Sequence, residues 1–463
     1  MAGPIPLLTV GLFIYETALS CNSFRKERMS HFGVLSYKGT GHLNPLIALS
    51  RQLVARGHRV TFFQKPELEA RVRQHGLEFS AIGKAHSSRE QGRTDDRQRP
   101  SSGVAALRYG MRRIAGDMEM SLQEAPSALT QTGIDALVID EIVLSGPTLA
   151  QMLCLPYFVV STSVPHNFGW AVPPWLTGCN YPISHFDRLQ NAMLQISVFC
   201  MRGPIRWKLD KYRRQAGLGP SRRIQNIFPA LAQIAQLPRC LDFPRTTLPS
   251  NFHYTGPFID ESARPLVEFP WNRLDGRPLV YASLGTARNG QPRVFHLISE
   301  ACNKLNLQLV MSLGGRGDLE IYDDLPGNPV VVRDAPQLEL IKMAAIVITH
   351  GGLNTVLETL LEGKPMIAIP FAYDQPAVAA RLAWLKAAEV IPINELSAES
   401  VRFALSKVIN NPLYRDTARE LQAGIRSAPG LECAVEVIER ALERYAATCS
   451  AGETCEDRRK TIR

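Results

Sequence analysis

A histidine followed by two glycines marks the segment of this sequence whose chemistry is easiest to interpret. The apolar run 344–348 predicts a strand, and His350, Gly351 and Gly352 form a turn just after it. The residues beyond the turn predict an amphipathic helix, and the free N–H groups and dipole at a helix start bind anions. Glycine lets the backbone approach an anion closely, and the imidazole adds one more N–H donor. The segment therefore predicts a phosphate site.

A paired acid and amide, Asp374 and Gln375, follow the next predicted strand, residues 365–370. A carboxylate accepts hydrogen bonds, and an amide both donates and accepts them, so the pair suits the hydroxyl groups of a sugar. A phosphate site next to such a pair predicts a binding site for a nucleotide sugar.

A second histidine, His42, lies in the glycine-rich loop 38–42 after the first predicted strand, residues 32–37. Asn44 suits the N-cap of the following helix, with Pro45 at its first position. Transfer of a sugar to a hydroxyl requires that hydroxyl to lose its proton, and an imidazole with a pKa near neutrality suits a general base. We therefore predict that His42 is the catalytic base and points into a cleft.

The elements that must position these residues alternate between strand and helix, first from residue 31 and again from residue 278. This alternation predicts an α/β fold with two doubly wound, Rossmann-like domains that face each other across a cleft. The predicted boundaries are a non-structural extension at 1–28, a first domain at 29–259, a linker at 260–277, a second domain at 278–449 and a disordered tail at 450–463.

Composition agrees with two globular domains, because 463 residues with 45% apolar and 21% charged content are typical of soluble proteins of that size. The nine cysteines include no Cys-x-x-Cys pair, and no spacing indicates a metal site. Cys154, Cys200 and Cys302 lie in apolar runs, which predicts buried, reduced thiols and a cytoplasmic location. We therefore expect a reaction that needs no metal ion.

The net charge of +9 is concentrated partly in segment 202–223, where basic residues alternate with apolar ones. Such a segment suits peripheral contact with an anionic membrane or the steering of a phosphorylated donor, and a solvated helix face is the simpler alternative. No nucleic-acid-binding motif accompanies the charge, so we expect no nucleic acid partner.

Together these motifs resemble the nucleotide-sugar-dependent glycosyltransferases of the GT-B fold, the UDP-glycosyltransferase superfamily. This superfamily includes plant natural-product enzymes, bacterial macrolide enzymes and zeaxanthin glucosyltransferases, and the resemblance extends from residue 29 to about residue 447. The residues that carry it are Ala335-Pro336-Gln337, His350-Gly351-Gly352-Leu353-Asn354-Thr355, Glu358, Gly363-Lys364-Pro365, Pro370 and Asp374-Gln375.

The resemblance implies that the first domain binds the acceptor and the second domain binds the nucleotide-sugar donor. It places His350 and the adjacent backbone at the pyrophosphate, Glu358 at the ribose, Gln337 near the base, and Asp374 with Gln375 at the sugar. The implied donor-binding residues are Thr286, Gln337, His350, Gly351, Gly352, Asn354, Thr355, Glu358, Asp374 and Gln375.

For catalysis, the resemblance implies an aspartate that orients the basic histidine and stabilises its charged form. Asp140, at the end of the predicted strand 135–140, matches that position. The implied reaction is a single inverting displacement of the nucleoside diphosphate, without a metal ion or a cofactor other than the UDP-sugar co-substrate.

Two positions depart from the family pattern. The tryptophan that stacks on uracil in the family is Asp334 here, and the tryptophan after the second glycine is Leu353. Because a carboxylate cannot stack on a pyrimidine, we expect UDP as the donor nucleotide but keep dTDP as an alternative. Gln375 resembles the glucose-using pattern.

The aromatic stretch 168–175 suggests a pocket for a hydrophobic acceptor such as a carotenoid, polyketide, terpenoid or flavonoid. Phe168, Trp170 and Trp175 are its candidate residues, and a place in the interdomain core is the alternative for them. An epimerase or hydrolase acting on the nucleotide sugar itself is the competing function. A nicotinamide dehydrogenase is disfavoured, because Asn44 replaces the third glycine of the dinucleotide fingerprint.

Overall fold

A computed structural model describes residues 29–83, 103–167, 169–221, 230–264, 266–285, 291–315 and 318–449. The predicted extension at 1–28, the predicted tail at 450–463, and the candidate residues Phe168 and Thr286 lie outside these ranges.

Within the described ranges, the strands form two parallel sheets. The first sheet has the order β3-β2-β1-β4-β5-β6-β7, and the second has the order β10-β9-β8-β11-β12-β13. The strands of the first sheet are β1 (His31–Leu35), β2 (Arg59–Gln64), β3 (Glu78–Ala81), β4 (Ala136–Asp140), β5 (Tyr157–Ser161), β6 (Ala232–Ala235) and β7 (Phe252–Tyr254). Those of the second are β8 (Leu279–Ser283), β9 (Gln308–Ser312), β10 (Val330–Val332), β11 (Ile346–Thr349), β12 (Met366–Ala368) and β13 (Ala388–Val390).

The helices cover both faces of these sheets. Those before β8 are α1 (Thr40–Ala55), α2 (Glu69–Arg73), α3 (Gly103–Thr132), α4 (Gly146–Met152), α5 (His185–Met201) and α6 (Gly203–Gln215). Those after β8 are α7 (Pro292–Lys304), α8 (Gln337–Met343), α9 (Leu353–Leu361), α10 (Gln375–Leu385), α11 (Ala398–Asn410), α12 (Pro412–Arg426) and α13 (Gly430–Cys449). The predicted α/β class with two doubly wound sheets is confirmed. None of the described helices combines the length and the apolarity that crossing a membrane requires.

The strands form because short apolar runs are buried on both faces of each sheet, as parallel sheets require. In β1, Phe32 and Val34 are fully buried, and Gly33 lets the strand approach β4. A Cβ at Gly33 would lie 2.8 Å from Leu137 Cδ2, so a larger residue would separate the two strands. This close pairing brings the carboxyl ends of β1 and β4 together.

The last helix corrects the predicted domain boundary. Residues 278–449 were assigned to the second domain, but α13 packs on the first sheet, where Val435 and Ile438 join the core that contains Phe32. Glu439 of α13 also accepts a hydrogen bond from His58 at 3.2 Å. The apolar face of α13 is buried against α1 and β6 of the first domain rather than against a helix of the second domain.

The cysteines differ from the prediction of three buried, reduced thiols. Cys302 is a buried free thiol and Cys200 is a free but exposed one. Cys154 is disulfide-bonded. The prediction is therefore right only for Cys302.

A buried ion pair joins the two domains. In the segment between β6 and β7 of the first sheet, Leu237 and Leu241 pack against the core of the second domain. The carboxylate of the nearby Asp242 accepts a hydrogen bond from Arg381 Nε of α10 at 2.8 Å, and both side chains are 1% exposed. Because a buried charge requires its partner, this pair helps to determine how the domains meet around the cleft.

Candidate active site

The side chains of His42 and Asp140 meet at the carboxyl edge of the first sheet. Helix α1 begins at Thr40 rather than after Asn44 as predicted, so His42 lies in its first turn. His42 Nδ1 is 2.9 Å from Asp140 Oδ2. Because a carboxylate only accepts hydrogen bonds, Nδ1 carries the proton, and the neutral ring then presents Nε2 as an acceptor. Among the described residues, Nε2 has no hydrogen-bond partner.

Backbone and side-chain contacts hold this pair in place. The Asp140 side chain is fully buried and accepts hydrogen bonds from the backbone N–H groups of Tyr37 at 3.2 Å and Ile142 at 3.3 Å. Thr162 Oγ1 lies 2.8 Å from His42 Nδ1, and the ring of Tyr37 packs edge-on against the imidazole at 5.3 Å. The imidazole is therefore oriented by contacts on several sides.

The electrostatic surroundings of His42 favour its charged form. Burial acts to lower the pKa of His42, but the charge and hydrogen bond of Asp140 outweigh it and raise that pKa above the ordinary value of 6.5. Asp374, in the second domain, and Glu141 add to the increase. Asp374 belongs to the candidate sugar-binding loop and accepts a hydrogen bond from Ser163 of the first domain, so this loop faces the first domain across the cleft.

Asn354 connects the candidate phosphate site directly to the loop that carries His42. Its Nδ2 donates to the backbone oxygen of Gly41 at 3.0 Å, and its Oδ1 accepts from Gln236 Nε2 at 3.0 Å. Gln236 also donates to the backbone oxygen of Thr162. These hydrogen bonds connect the first turn of α9 with Gly41, which precedes His42, and with Thr162, whose hydroxyl contacts the imidazole. Gln236 and Thr162 were missed because no local pattern distinguishes them.

The ring of His350 lies between two glycines. A Cβ on Gly285 would come within 2.7 Å of its Nε2, and a Cβ on Gly352 within 2.6 Å. Gly285 and Gly351 also have positive φ angles of 74° and 83°, which other residues rarely adopt. These glycines therefore allow the histidine to sit beside the first turn of α9, where Asn354 and the buried Thr355 carry N–H groups without partners inside the helix.

The Asp374–Gln375 pair is held by both domains. Ser163 Oγ, at the carboxyl end of β5, donates to Asp374 Oδ2. Gln375 Oε1 accepts from the backbone N–H groups of Phe371 at 2.9 Å and Ala372 at 3.1 Å. The amide is thereby oriented so that Nε2, which has no partner among the described residues, is available as a donor.

Glu358 and Gln337 lie together, but a third residue contacts them. Gln337 Nε2 donates to Glu358 Oε2 at 2.5 Å, and the linker residue Arg264 pairs with the other carboxylate oxygen. Tyr281 donates to Gln337 Oε1 at 3.0 Å. Arg264 was missed because it lies in a segment without regular periodicity. A ribose that binds Glu358 must share the carboxylate with Arg264 or displace it.

Trp170 and Trp175, the two predicted acceptor residues within the described ranges, lie in different surroundings. Trp170 is 56% exposed, whereas Trp175 packs against the core of the second domain and stacks on His166 at 3.8 Å. For Trp175 the structure therefore supports the alternative of an interdomain core position.

A small recess of about 40 Å³ lies beside Tyr37, whose ring contacts His42. The ion pair of Lys65 and Asp117, 2.9 Å apart, lies in its wall. The hydroxyls of Ser36 and Ser145 also line it, and both are buried without a hydrogen-bond partner among the described residues. The recess combines apolar walls with a few polar groups, but its volume suits a few water molecules rather than a small-molecule ligand.

Glu141 is a second titratable group that was missed. It is 3% exposed and accepts a hydrogen bond from the backbone N–H of His166 at 2.8 Å. Burial raises the pKa of Glu141 to about 7. It therefore changes charge in the same pH range as an imidazole, next in sequence to the partner of His42.

No group of three or more His, Cys, Asp or Glu side chains with an arrangement suited to a metal ion occurs among the described residues.

Comparison with known protein families gives two matches. Residues 119–439 match the family model described as "UDP-glucoronosyl and UDP-glucosyl transferase". Residues 34–130 match the glycosyltransferase family 28 N-terminal domain.

Individual proteins are similar along nearly their whole length. Zeaxanthin glucosyltransferase of Pantoea ananas is 29% identical over 421 residues, which cover 89% of this chain and 96% of the relative. The protein of the same name from Pseudescherichia vulneris is 27% identical over 431 residues, covering 89% and 98%. Among solved structures, the glycosyltransferase of kitacinnamycin superposes with a TM-score of 0.70 at 24% identity, covering 90% of this chain and 100% of that one.

Proposed function

Because the chain belongs to the UDP-glucoronosyl and UDP-glucosyl transferase family, it is a glycosyltransferase, and we propose that it transfers glucose from UDP-glucose to a hydrophobic alcohol. The acceptor is a hydroxylated small molecule such as a carotenoid, polyketide, terpenoid or flavonoid. The transfer inverts the anomeric carbon and uses neither a metal ion nor a cofactor besides the donor. The resemblance to the GT-B enzymes is confirmed by the family match and the superposed fold.

One observation carries the proposal: the first turn of the phosphate-binding helix contacts the loop that holds the histidine–aspartate pair. Asn354 donates to the oxygen of Gly41, which immediately precedes His42. A donor held at α9 therefore lies within reach of a base held at α1. This arrangement supports direct transfer between a donor on one domain and an acceptor on the other.

In the proposed mechanism, His42 Nε2 takes the acceptor proton while the acceptor oxygen attacks the anomeric carbon. Asp140 stabilises the imidazolium that forms. The C–O bond to the nucleoside diphosphate breaks, and the diphosphate leaves with the negative charge. The N–H groups of the first turn of α9 and His350 stabilise that charge. The remaining donor contacts are those assigned from the motifs, with Thr286, Asp374 and Gln375 among them.

The acceptor class is supported by the relatives named above. Both are zeaxanthin glucosyltransferases, so a carotenoid alcohol is the first candidate. A cytoplasmic location, and membrane contact through residues 202–223, remain proposals.

The test is a donor panel crossed with an acceptor panel and analysed by mass spectrometry. UDP-glucose, UDP-galactose and dTDP-glucose are each incubated with a carotenoid alcohol, a flavonol, a macrolide aglycone and no acceptor. We expect β-linked product from UDP-α-glucose with hydrophobic acceptors, both with and without a chelator. Sugar release without an acceptor would instead indicate a hydrolase. Loss of product in the presence of the chelator would show that the reaction needs a metal ion.

The pH dependence of kcat/KM tests the base. Only the neutral imidazole accepts a proton, and the pKa of His42 lies above 6.5. We therefore expect kcat/KM to rise with pH through that raised pKa and to level off above it. In Asp140→Asn the charge that raises the pKa is lost, so the rising limb moves to lower pH and kcat falls.

Glu141→Gln is the control for this profile, since Glu141 has a pKa of about 7. If His42 is the base, the profile of Glu141→Gln keeps a rising limb. This limb moves only slightly to lower pH, because one negative charge near the imidazole is lost. If the limb disappears in Glu141→Gln and survives in Asp140→Asn, the titrating group is Glu141.

A second prediction concerns the ribose. If Glu358 binds the ribose hydroxyls, Glu358→Ala raises the KM for the donor by roughly 10- to 100-fold, because hydrogen bonds to a charged group are lost. Initial rates at varied donor concentration measure this. The control Glu362→Ala removes a carboxylate at the end of the same helix and leaves KM unchanged.

Arg264→Ala tests whether Glu358 binds the ribose or only holds the linker through its ion pair with Arg264. It removes the ion-pair partner of Glu358 but leaves the carboxylate free for the donor, so KM stays the same or falls. An equal rise of KM in both variants would mean that Glu358 acts by holding the linker.

A further inference from the structure

Helix α5 exposes a row of large apolar side chains. Phe186, Leu189, Met193 and Ile196 lie three or four residues apart and therefore share one face, and Ile183 precedes them. These five residues, here called the apolar stripe, are between 56% and 80% exposed. Single exposed apolar residues are ordinary, but a contiguous row at helical spacing indicates a surface that contacts something apolar.

The opposite face of α5 is anchored to the rest of the domain. Asn191 is 4% exposed, and its Nδ2 donates to the backbone oxygen of Trp170 at 2.6 Å. Gln195 Nε2 donates to the oxygen of Val172 at 2.8 Å. Ser184 and Asp187 form a capping box that defines the start of the helix. Because these bonds determine the orientation of α5, the apolar stripe is the face that remains directed outward.

Basic residues accompany the apolar stripe. Exposed Arg188 lies on α5, and exposed Arg206, Lys211 and Arg214 lie on the adjoining helix α6. The guanidinium of Arg206 lies 4.2 Å from the ring centroid of Phe199, so the two helices are in contact at this point. Trp207, next to Arg206, is 65% exposed and has the amphipathic ring typical of membrane interfaces.

The acidic residues of this region do not offset that charge. Residues 183–221 contain two acids, Asp187 and Asp210. Asp187 is used in the capping box, and Asp210 accepts from the backbone and hydroxyl of Ser221 at 2.9 and 3.0 Å. The surface is therefore apolar and positively charged, and its partner must be apolar and negatively charged.

We propose that the apolar stripe of α5, together with the exposed basic residues of α5 and α6, docks on the surface of an anionic phospholipid bilayer. Such a surface offers acyl chains at shallow depth to the apolar side chains and phosphate groups to the arginines and lysines. A second copy of the chain fits less well, because a two-fold interface would place these basic residues against themselves.

Docking through α5 has a consequence for the acceptor, and this part rests on the proposed function. The buried face of α5 holds the backbone of residues 169–172, on the acceptor-binding domain. The bilayer surface then lies against that domain, so a membrane-dissolved alcohol reaches the enzyme without crossing bulk water. The proposed membrane contact thus lies chiefly on α5 rather than within 202–223, where the sequence predicted it. The sequence did not reveal the exposed apolar face of α5.

Flotation of the full-length protein with vesicles tests the docking without any substrate. Vesicles of phosphatidylglycerol and phosphatidylcholine are compared with vesicles of phosphatidylcholine alone. We expect binding to the anionic vesicles only, and a decrease of at least about tenfold in Leu189→Ser/Met193→Ser, because buried apolar area is lost. Arg206→Gln/Lys211→Gln/Arg214→Gln should weaken binding similarly.

The matched control is Phe403→Ser/Ile409→Ser, which removes exposed apolar residues from α11 and should leave vesicle binding intact. Melting temperatures report whether each variant is folded. The proposal is overturned if the wild type ignores both vesicles, or if it binds both equally. It is also overturned if sedimentation shows a dimer that Leu189→Ser/Met193→Ser converts to a monomer. These results do not depend on whether the proposed donor or acceptor is right.

Discussion

Replacing His42 with alanine lowers kcat by about 100- to 10,000-fold while the enzyme still binds UDP, which is the range that a positioned general base contributes. The reason is geometric: the proton on Nδ1 is held by Asp140, so Nε2 accepts the acceptor proton. Alanine removes that acceptor but none of the groups assigned to the diphosphate. Turnover by mass spectrometry and UDP affinity by calorimetry measure the two effects separately.

The control for this experiment is His296→Ala, which removes an exposed histidine on α7 and should leave kcat unchanged. The His42 side chain is 23% exposed, and Asp140 keeps its two backbone hydrogen bonds, so we expect only a small change in melting temperature. If His42→Ala retains kcat within a few fold of the wild type, another group removes the proton. A loss of UDP affinity as large as the loss of kcat would indicate that the substitution distorts the donor site.

Replacing Asp242 with alanine lowers the free energy of unfolding by about 3 to 5 kcal/mol, the usual cost of removing one partner of a buried ion pair. Asp242 accepts from Arg381 at 2.8 Å, Arg245 at 2.7 Å and Tyr254 at 2.8 Å. Both arginines are 5% exposed or less, so each would retain a buried charge without its carboxylate. Urea unfolding followed by tryptophan fluorescence measures the loss.

An exposed pair of equal length is the matched control. Lys304 and Glu300 on α7 are also 2.7 Å apart, but they are solvated, so Glu300→Ala should cost less than about 0.5 kcal/mol. The comparison measures what burial and the additional partners of Asp242 contribute, because the distances within the ion pairs are similar. A cost below about 1 kcal/mol for Asp242→Ala would mean that water enters the interface and replaces the carboxylate.

The effect of Asp242→Ala should also depend on pH. Burial alone would raise the pKa of Asp242, but the two arginines hold it below its ordinary value of 3.8. A carboxyl whose pKa is depressed on folding stabilises the protein above its unfolded pKa, and this contribution disappears as the pH falls through the folded pKa. The difference between wild type and variant should therefore be full at neutral pH and decrease in acid.

The amino-acid sequence by itself determined the features that are local. Buried apolar runs and glycine turns predicted the alternation of strands and helices. The turn of His350, Gly351 and Gly352 predicted a helix start with free N–H groups, and α9 begins there. His42 was predicted from its glycine-rich loop, and Asp140 from the family resemblance, whose position it matches at the carboxyl end of another strand of the same sheet.

Only the tertiary structure decided which distant groups meet. The contacts of Asn354 with Gly41 and of Arg264 with Glu358 join residues that are 313 and 94 positions apart. No periodicity within a short segment encodes such a pairing, since it depends on how distant segments of the chain are placed in the fold.

Helices α5 and α13 show the same limit. An amphipathic pattern predicts that a helix has an apolar face, but it does not predict what that face contacts. The apolar face of α13 returns to the first domain and is buried there, whereas the apolar stripe of α5 remains exposed. The difference arises because burial depends on the shape and polarity of the neighbouring surface, which the whole chain forms only when it folds.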